Sequence, residues 1–314
     1  MSLEYLLLPR LQVQAANAQA AWWLINAAPV MAATMFAHNL GRHTGILPVG
    51  VGIVHHDAQL LGEKGKMFYG RFRPQQRRGA VYIDGDDYSS KNKHALSLQP
   101  TASCHLTWSL LLAFDDSEGL PGTAKVADFL AGARLAGGQI VDHAKPLPLS
   151  TGEEVRRAIR SGFWLIERQD LMETDDGDPL DALIRATTLR HPPKIPDSLN
   201  IEGTASSSLS LWRAGVRGSN RDGNLPETEL SPGGESLVPA YRESWIVPTT
   251  LGYAPITEFA DRTGAREGYP HAYAEPLVGL VQYVSVNRYA ESPPPLWRHA
   301  WLPNDVFVVT QQEV

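Results

Sequence analysis

Ser103-Cys104-His105-Leu106-Thr107-Trp108-Ser109-Leu110-Leu111-Leu112-Ala113-Phe114 is the stretch on which the fold reading turns. His105, Thr107 and Ser109 alternate with Leu106, Trp108 and Leu110, the period-two pattern of a strand with one face towards a core. Working outward, Val49 to His55 reads as the strand before it. Tyr5 to Gln14 reads as a buried strand near the N-terminus, with Leu6, Leu7 and Leu8 followed by alternation through Leu11 and Val13. Small and polar, Ala15 to Gln19 reads as a loop. Pro29, a favoured first-turn residue, starts a helix through Met31, Met35 and Phe36 to Leu40, and Gly41 or Gly45 stops it.

Downstream, Pro121 to Leu135 reads as a helix with Val126, Phe129, Leu130 and Ala133 on one face. Gly137 and Gly138 end it, and Gln139 to Asp142 reads as a short fourth strand. The order is strand, helix, strand, strand, helix, strand. The expected fold class is therefore α+β: a modified RNA-recognition (ferredoxin-like) fold over residues 1–145. Residues 57–103 are too long for a hairpin turn and form an insertion between the second and third strands.

Residues 146–314 read as a second region with an irregular character. Glu153 to Arg168 reads as a helix ending in Phe163, Trp164, Leu165 and Ile166, and Asp181 to Leu189 as a short helix. A stretch rich in Pro, Gly and Ser, about 191–240, reads as long loops. Trp245 to Pro248, Val278 to Val286 and Val306 to Thr310 are strands or helix cores of a compact C-terminal part.

At 314 residues, with ordinary apolar and charged fractions, the chain can bury a sizeable core, and global disorder is excluded. Its one cysteine, Cys104, excludes an internal disulfide framework and a CxxC metal site. The N-terminus lacks a basic region followed by a sustained apolar run, and no apolar stretch reaches the roughly 20 residues that span a bilayer. A soluble cytoplasmic protein with no membrane partner is expected.

Against a formal net charge of -6, the stretch Gly62 to Arg78 holds Lys64, Lys66, Arg71, Arg73, Arg77 and Arg78 with one acid, Glu63. Phe68, Tyr69 and Phe72 are interleaved with them. Guanidinium and ammonium groups neutralise phosphates while rings stack on unpaired bases, so the mixture suits single-stranded RNA or DNA. It equally suits a solvated hairpin whose aromatics pack inward. Arg134, followed by Gly137 and Gly138, offers a phosphate partner beside backbone that a ligand can approach closely, or an ordinary glycine helix stop. Arg156 and Arg160 share a helical face, either solvated or lining an RNA groove.

Catalytic patterns do not assemble. His55 and His56 are consecutive strand residues and point to opposite faces, so without a bulge they cannot chelate one ion together. Gly62-Glu63-Lys64-Gly65-Lys66 does not match a phosphate-binding loop, which excludes a nucleotide-hydrolase reading. No GxSxG occurs. No cofactor and no metal are expected.

Leu6-Leu7-Leu8-Pro9-Arg10-Leu11 with Val13-Gln14-Ala15-Ala16-Asn17-Ala18, then Val51-Gly52-Ile53-Val54-His55, then Arg134-Leu135-Ala136-Gly137-Gly138 resemble the Csy-two family of type I-F CRISPR systems. Trp245-Ile246-Val247-Pro248 with Gly252-Tyr253, and Leu296-Trp297-Arg298, extend the similarity towards the C-terminus. It is weakest from about 170 to 240.

The resemblance implies a Cas-five-type, non-catalytic subunit of the RNA-guided Csy (Cascade) surveillance complex. Such a subunit holds the 5′ repeat-derived handle of the CRISPR RNA and bridges the large subunit and the backbone subunits. Target DNA near the protospacer-adjacent motif is then an indirect partner. Phosphate contacts are expected from Lys64, Lys66, Arg71, Arg73, Arg77 and Arg78, and stacking from Phe68, Tyr69 or Phe72. Arg134, Gly137 and Gly138, with Gln14 and Asn17, are expected to approach the handle. Two alternatives stand beside this reading. One is a metal-independent endoribonuclease using His38, His43, His55, His56 or His94. The other is a purely protein-binding adaptor.

Overall fold

A computed structural model describes residues 2–21, 23–64, 72–74, 102–172, 178–187, 245–261, 268–289 and 293–312. The first half contains β1 (Leu3–Asn17), the short pair β2 (Gln19–Ala21) and β3 (Leu24–Ile25), α1 (Val30–Thr44) and β4 (Gly50–Leu60). A second short pair, β5 (Gly62–Lys64) and β6 (Phe72–Pro74), precedes β7 (Ser103–Asp115) and α2 (Thr123–Gly132). Then come β8 (Arg134–Leu135), β9 (Gly138–Asp142), β10 (Leu147–Leu149), α3 (Gly152–Ala158), β11 (Phe163–Glu167) and α4 (Pro179–Thr187). The chain finishes with β12 (Ile246–Pro255), β13 (Ala274–Ser285), β14 (Arg298–Leu302) and β15 (Val306–Thr310). The segment read as long loops, about 191–240, lies outside the described residues.

The expected fold class, a small α+β RNA-recognition (ferredoxin-like) fold, is overturned. One sheet of eleven strands runs β14-β15-β12-β13-β11-β4-β7-β1-β9-β8, with β10 also paired to β1. The decisive pairing is β11 on β4, through Phe163↔His55 and Trp164↔Val54. It removes the free edge that β4 has in a four-stranded module and carries the sheet on into the C-terminal strands. The stretch 153–168, read as one helix, supplies that strand. Its helix ends at Ala158, Gly162 turns the chain at φ +112, and Phe163 to Glu167 extend. A residue with a Cβ is strained at such a φ, and here the Cβ would lie 2.7 Å from Val54 and 2.8 Å from the His55 carbonyl oxygen.

The sheet also curls until its β14 end meets β4. Val51 and Trp297 exchange both backbone bonds, at 2.9 and 2.8 Å. The Trp297 indole is fully buried and donates its Nε1–H to the Leu165 carbonyl at 2.9 Å. Phe36 and Leu40 of α1, Val126 and Leu130 of α2, and Leu251, Val281 and Val309 of the C-terminal strands share one core with Leu6, Leu8, Leu11 and Val13. Gly45, at φ +89, ends α1 by returning its N–H to Gly41.

Side-chain alternation in β1 is reset by a bulge. Arg10 has φ +54, and the register against β7 shifts between Leu8 and Leu11. The extra residue keeps Leu11 and Val13 on the same core as Leu6 and Leu8. A second shift, with Ala15 at φ +58, prolongs β1 to Asn17, through the stretch read as a loop. On the opposite face, Tyr5, Leu7, Leu111 and Ala113 pack under Val155 and Ile159 from α3 and its C-terminal end. Where the insertion leaves the sheet, Leu61 N–H donates to the Ser103 carbonyl at 2.8 Å, so its two ends are held side by side.

His55 and His56 take different partners across a bulge, since the register against β7 shifts between His55 and Asp57. His55 is buried and accepts the Trp108 Nε1–H on Nδ1 at 2.9 Å. Burial lowers its pKa from 6.5 to about 4. His56 Nε2 lies 2.6 Å from the Ser109 hydroxyl. It too is lowered to about 4, by burial first and the Arg10 charge second. Cys104 is a buried core residue whose thiol is pushed up to about 12 by burial.

Because the folded value of His55 lies below its ordinary 6.5, its contribution is complete above pH 6.5 and drains away as pH falls towards 4. His55→Gln keeps an acceptor for Trp108, so denaturant unfolding of this variant should recover ~2 kcal/mol of the stability that wild type loses between pH 7 and 4.5. An equally steep loss in both proteins contradicts this assignment. Trp297→Ala removes the sheet-closing side chain and is expected to cost ~3–5 kcal/mol at pH 7 in the same assay.

Candidate nucleic-acid interface

After α2 ends at Gly132, Arg134 and Leu135 pair with Gln139 and Gly138 around a two-residue turn. Ala136 and Gly137 at that turn have φ of +50 and +73, the positive values a tight hairpin following the strand twist requires. Leu135 and Ile140 anchor the hairpin in the core. Its tip is tied to β1 by Asn17 N–H donating to the Ala136 carbonyl at 2.8 Å. Gly138 makes the contact possible. A Cβ there would lie 2.6 Å from the Ala16 nitrogen and 2.7 Å from the Gln14 oxygen.

The structure thus brings together Gln14, Asn17, Arg134, Gly137 and Gly138, which the sequence places in two distant segments. Arg134↔Gln139 and Gln139↔Gln14 are cross-strand partners, so these three side chains form one row across β8, β9 and β1. Arg134, Gln139 and Gln14 are all exposed. The row continues at the β1 bulge to His105, whose Nδ1 accepts the Ala15 N–H at 3.2 Å, and on to its partner Gln59. A second row, Asp142, Gln12, Thr107 and Asp57, runs beside it, with Gln12 Nε2 bonded to Asp142 at 3.1 Å. The Asn17 amide is committed locally, accepting the Gln19 N–H at 3.0 Å and donating to the Gln19 carbonyl at 3.2 Å. Gln12, Gln59, His105, Thr107 and Gln139 were not singled out from sequence. The alternation of polar and apolar residues along β7 carried that signal for His105 and Thr107.

Lys66, Phe68, Tyr69, Arg71, Arg77 and Arg78 lie outside the described residues. Lys64 and Phe72 are backbone partners on β5 and β6, as are Glu63 and Arg73. The histidines weighed for catalysis are spread through the fold. His38 meets the His299 ring at 5.1 Å, and His43 lies 3.2 Å from Asp128. His55 and His56 are engaged as described, and His94 lies outside the described residues.

A family model described as CRISPR-associated protein (Cas_Csy2) matches residues 6–307. The chain belongs to the Csy2 family. CRISPR-associated protein Csy2 of Pseudomonas aeruginosa (strain UCBPP-PA14) is 28% identical over 335 residues, covering 94% of this chain and 90% of that protein. The resemblance drawn from the sequence is therefore borne out. The Csy2 match contains the β8–β9 hairpin and every strand of the curled sheet, except the first residues of β1 and the last of β15.

Gly138→Ala forces backbone against backbone and should cost ~1–3 kcal/mol. Amide exchange at Asn17 should accelerate in that variant, since its partner Ala136 is displaced. Gly137→Asn is the control. With φ +73 and open space around the site, it should leave both readouts close to wild type.

Proposed function

We propose that this chain is a non-catalytic subunit of a type I-F RNA-guided surveillance complex, acting in the cytoplasm in antiviral defence. It holds the 5′ repeat-derived handle of the CRISPR RNA and bridges the large subunit and the backbone subunits. The observation that carries this reading is the meeting of Gln14–Asn17 with the Arg134–Gly138 hairpin on one exposed end of the sheet, in a chain of this family. Arg134 supplies a cation for phosphate, while Gln14 and Gln139 offer amide donors and acceptors for base edges or ribose hydroxyls. The basic segment, Lys64, Lys66, Arg71, Arg73, Arg77 and Arg78 with Phe68, Tyr69 and Phe72, supplies further phosphate contacts and stacking. Guide pairing then reads the target, and protein holds backbone and handle. Among the described residues, no helix is long and apolar enough to cross a membrane.

Binding of labelled handle RNA and a scrambled control across a salt series tests this reading. Arg134→Ala should weaken handle binding and reduce the salt slope by about 0.7. Replacing Arg71, Arg73, Arg77 and Arg78 with Ala should lower the slope by about three, at roughly 0.7 per lost contact on a single strand. Handle binding that is indistinguishable from the scrambled control overturns the proposal. Cleaved RNA on a denaturing gel without divalent ions shifts it to the nuclease.

A further inference from the structure

The side of the sheet that carries Gln12 and Gln14 also holds a cleft of about 370 Å³ beneath α3. Arg156 and Arg160 stand at its rim, both exposed, and Trp164, Tyr289, Asn287 and Pro294 line it. No carboxylate lines it among the described residues. The charged residues beside these arginines on α3 have partners of their own. Arg157 is paired with Glu153 at 3.1 Å, and the Glu154 carboxylate accepts the Ser150 N–H at 2.7 Å. Arg160 is steadied by its Nε donating to the Arg157 carbonyl at 3.1 Å, a bond that does not use its two terminal amino groups. Below the rim, the half-buried Tyr289 ring is braced by Trp164, with centroids 6.2 Å apart.

We infer that this cleft is a second nucleic-acid contact, taking one nucleotide of a single strand. Its phosphate would sit on Arg156 and Arg160, and its base against Tyr289. Two forked cations over an aromatic wall match a phosphodiester joined to a flat ring. The volume, at the low end of the roughly 300–1,000 Å³ range of small-ligand sites, admits a nucleotide and not a duplex. Asn287 adds an amide for the base edge. The cleft is linked to the polar face through the β1 bulge, where Arg10 Nη2 donates to the Ser161 hydroxyl at 2.8 Å. One strand following this side of the sheet can therefore meet both places. Guide RNA and displaced DNA both present this phosphodiester to an arginine pair, and the titration below separates them. The inference rests on the RNA-holding reading only for its choice of ligand class.

Full-length protein bearing Arg156→Ala and Arg160→Ala, or Arg156→Lys and Arg160→Lys, is titrated with single-stranded RNA and single-stranded DNA across a salt series, alongside Arg134→Ala. Both arginines are exposed, so unfolding temperatures should match wild type. The alanine pair should lose about fivefold to tenfold in affinity and about 1.4 in salt slope for one of the two strands. The lysine pair should regain the slope but not all the affinity. Photocrosslinking of the wild-type protein should mark Tyr289 with that same strand, a readout independent of any variant. Unchanged binding of both strands with no crosslink at Tyr289 overturns the inference, and leaves an acidic protein segment as the occupant to test. If Arg134→Ala weakens RNA binding while the cleft variants weaken binding of neither strand, the handle reading stands and the cleft falls. If only the cleft variants do so, the reverse holds.

Discussion

Everything in this fold leans on the backbone pair between Val51 and Trp297. A twisted antiparallel sheet of eleven strands cannot stay flat, and without closure its β14 edge would remain open to other chains. The exchange of two backbone bonds brings that end against β4, and the buried Trp297 indole fixes it by reaching Leu165 on β11. Because β11 and Trp297 meet the same strand, pairing and packing reinforce one another. The curl then makes a single core of residues from the first strand to the last.

Closure divides the two faces of the sheet unequally. One is filled by α1 and α2 with the leucines of β1 and β7. On the other, α3 covers only the half that holds Tyr5, Leu7, Leu111 and Ala113. The remaining half carries glutamines, Thr107, His105 and two aspartates, and its charges are sparse. A surface of amides suits recognition of groups more than attraction of charge. Bulk electrostatic attraction would then fall to the arginines at its margins and in the insertion.

Local pattern made several elements readable from sequence. The alternation of β7, the leucines of β1 and the Pro29-to-Gly45 frame of α1 each declare themselves within a dozen residues. The overall fold class was not readable, because it turns on β11. Phe163 to Ile166 is a short apolar run that fits a buried helix end as well as a strand, and only its pairing with Val54 and His55, far away in sequence, decides between them. The bulges at Arg10 and Ala15 were equally hidden, since neither is a glycine that would advertise positive φ. At the candidate site, Arg134 and the two glycines stood out from sequence. The open backbone of Gly138, however, is used by β1 itself, through its approach to Ala16 and Gln14.

The bond between Leu61 and Ser103 gives the insertion the character of a replaceable cassette. The chain leaves and re-enters the sheet at adjacent points, with β4 and β7 already zipped together down to Leu60 and Cys104. Lengthening a loop whose ends are pinned in this way costs only about 0.6 kcal/mol per doubling. Evolution can thus exchange the content between those two residues while the register of every strand behind it stays as it is.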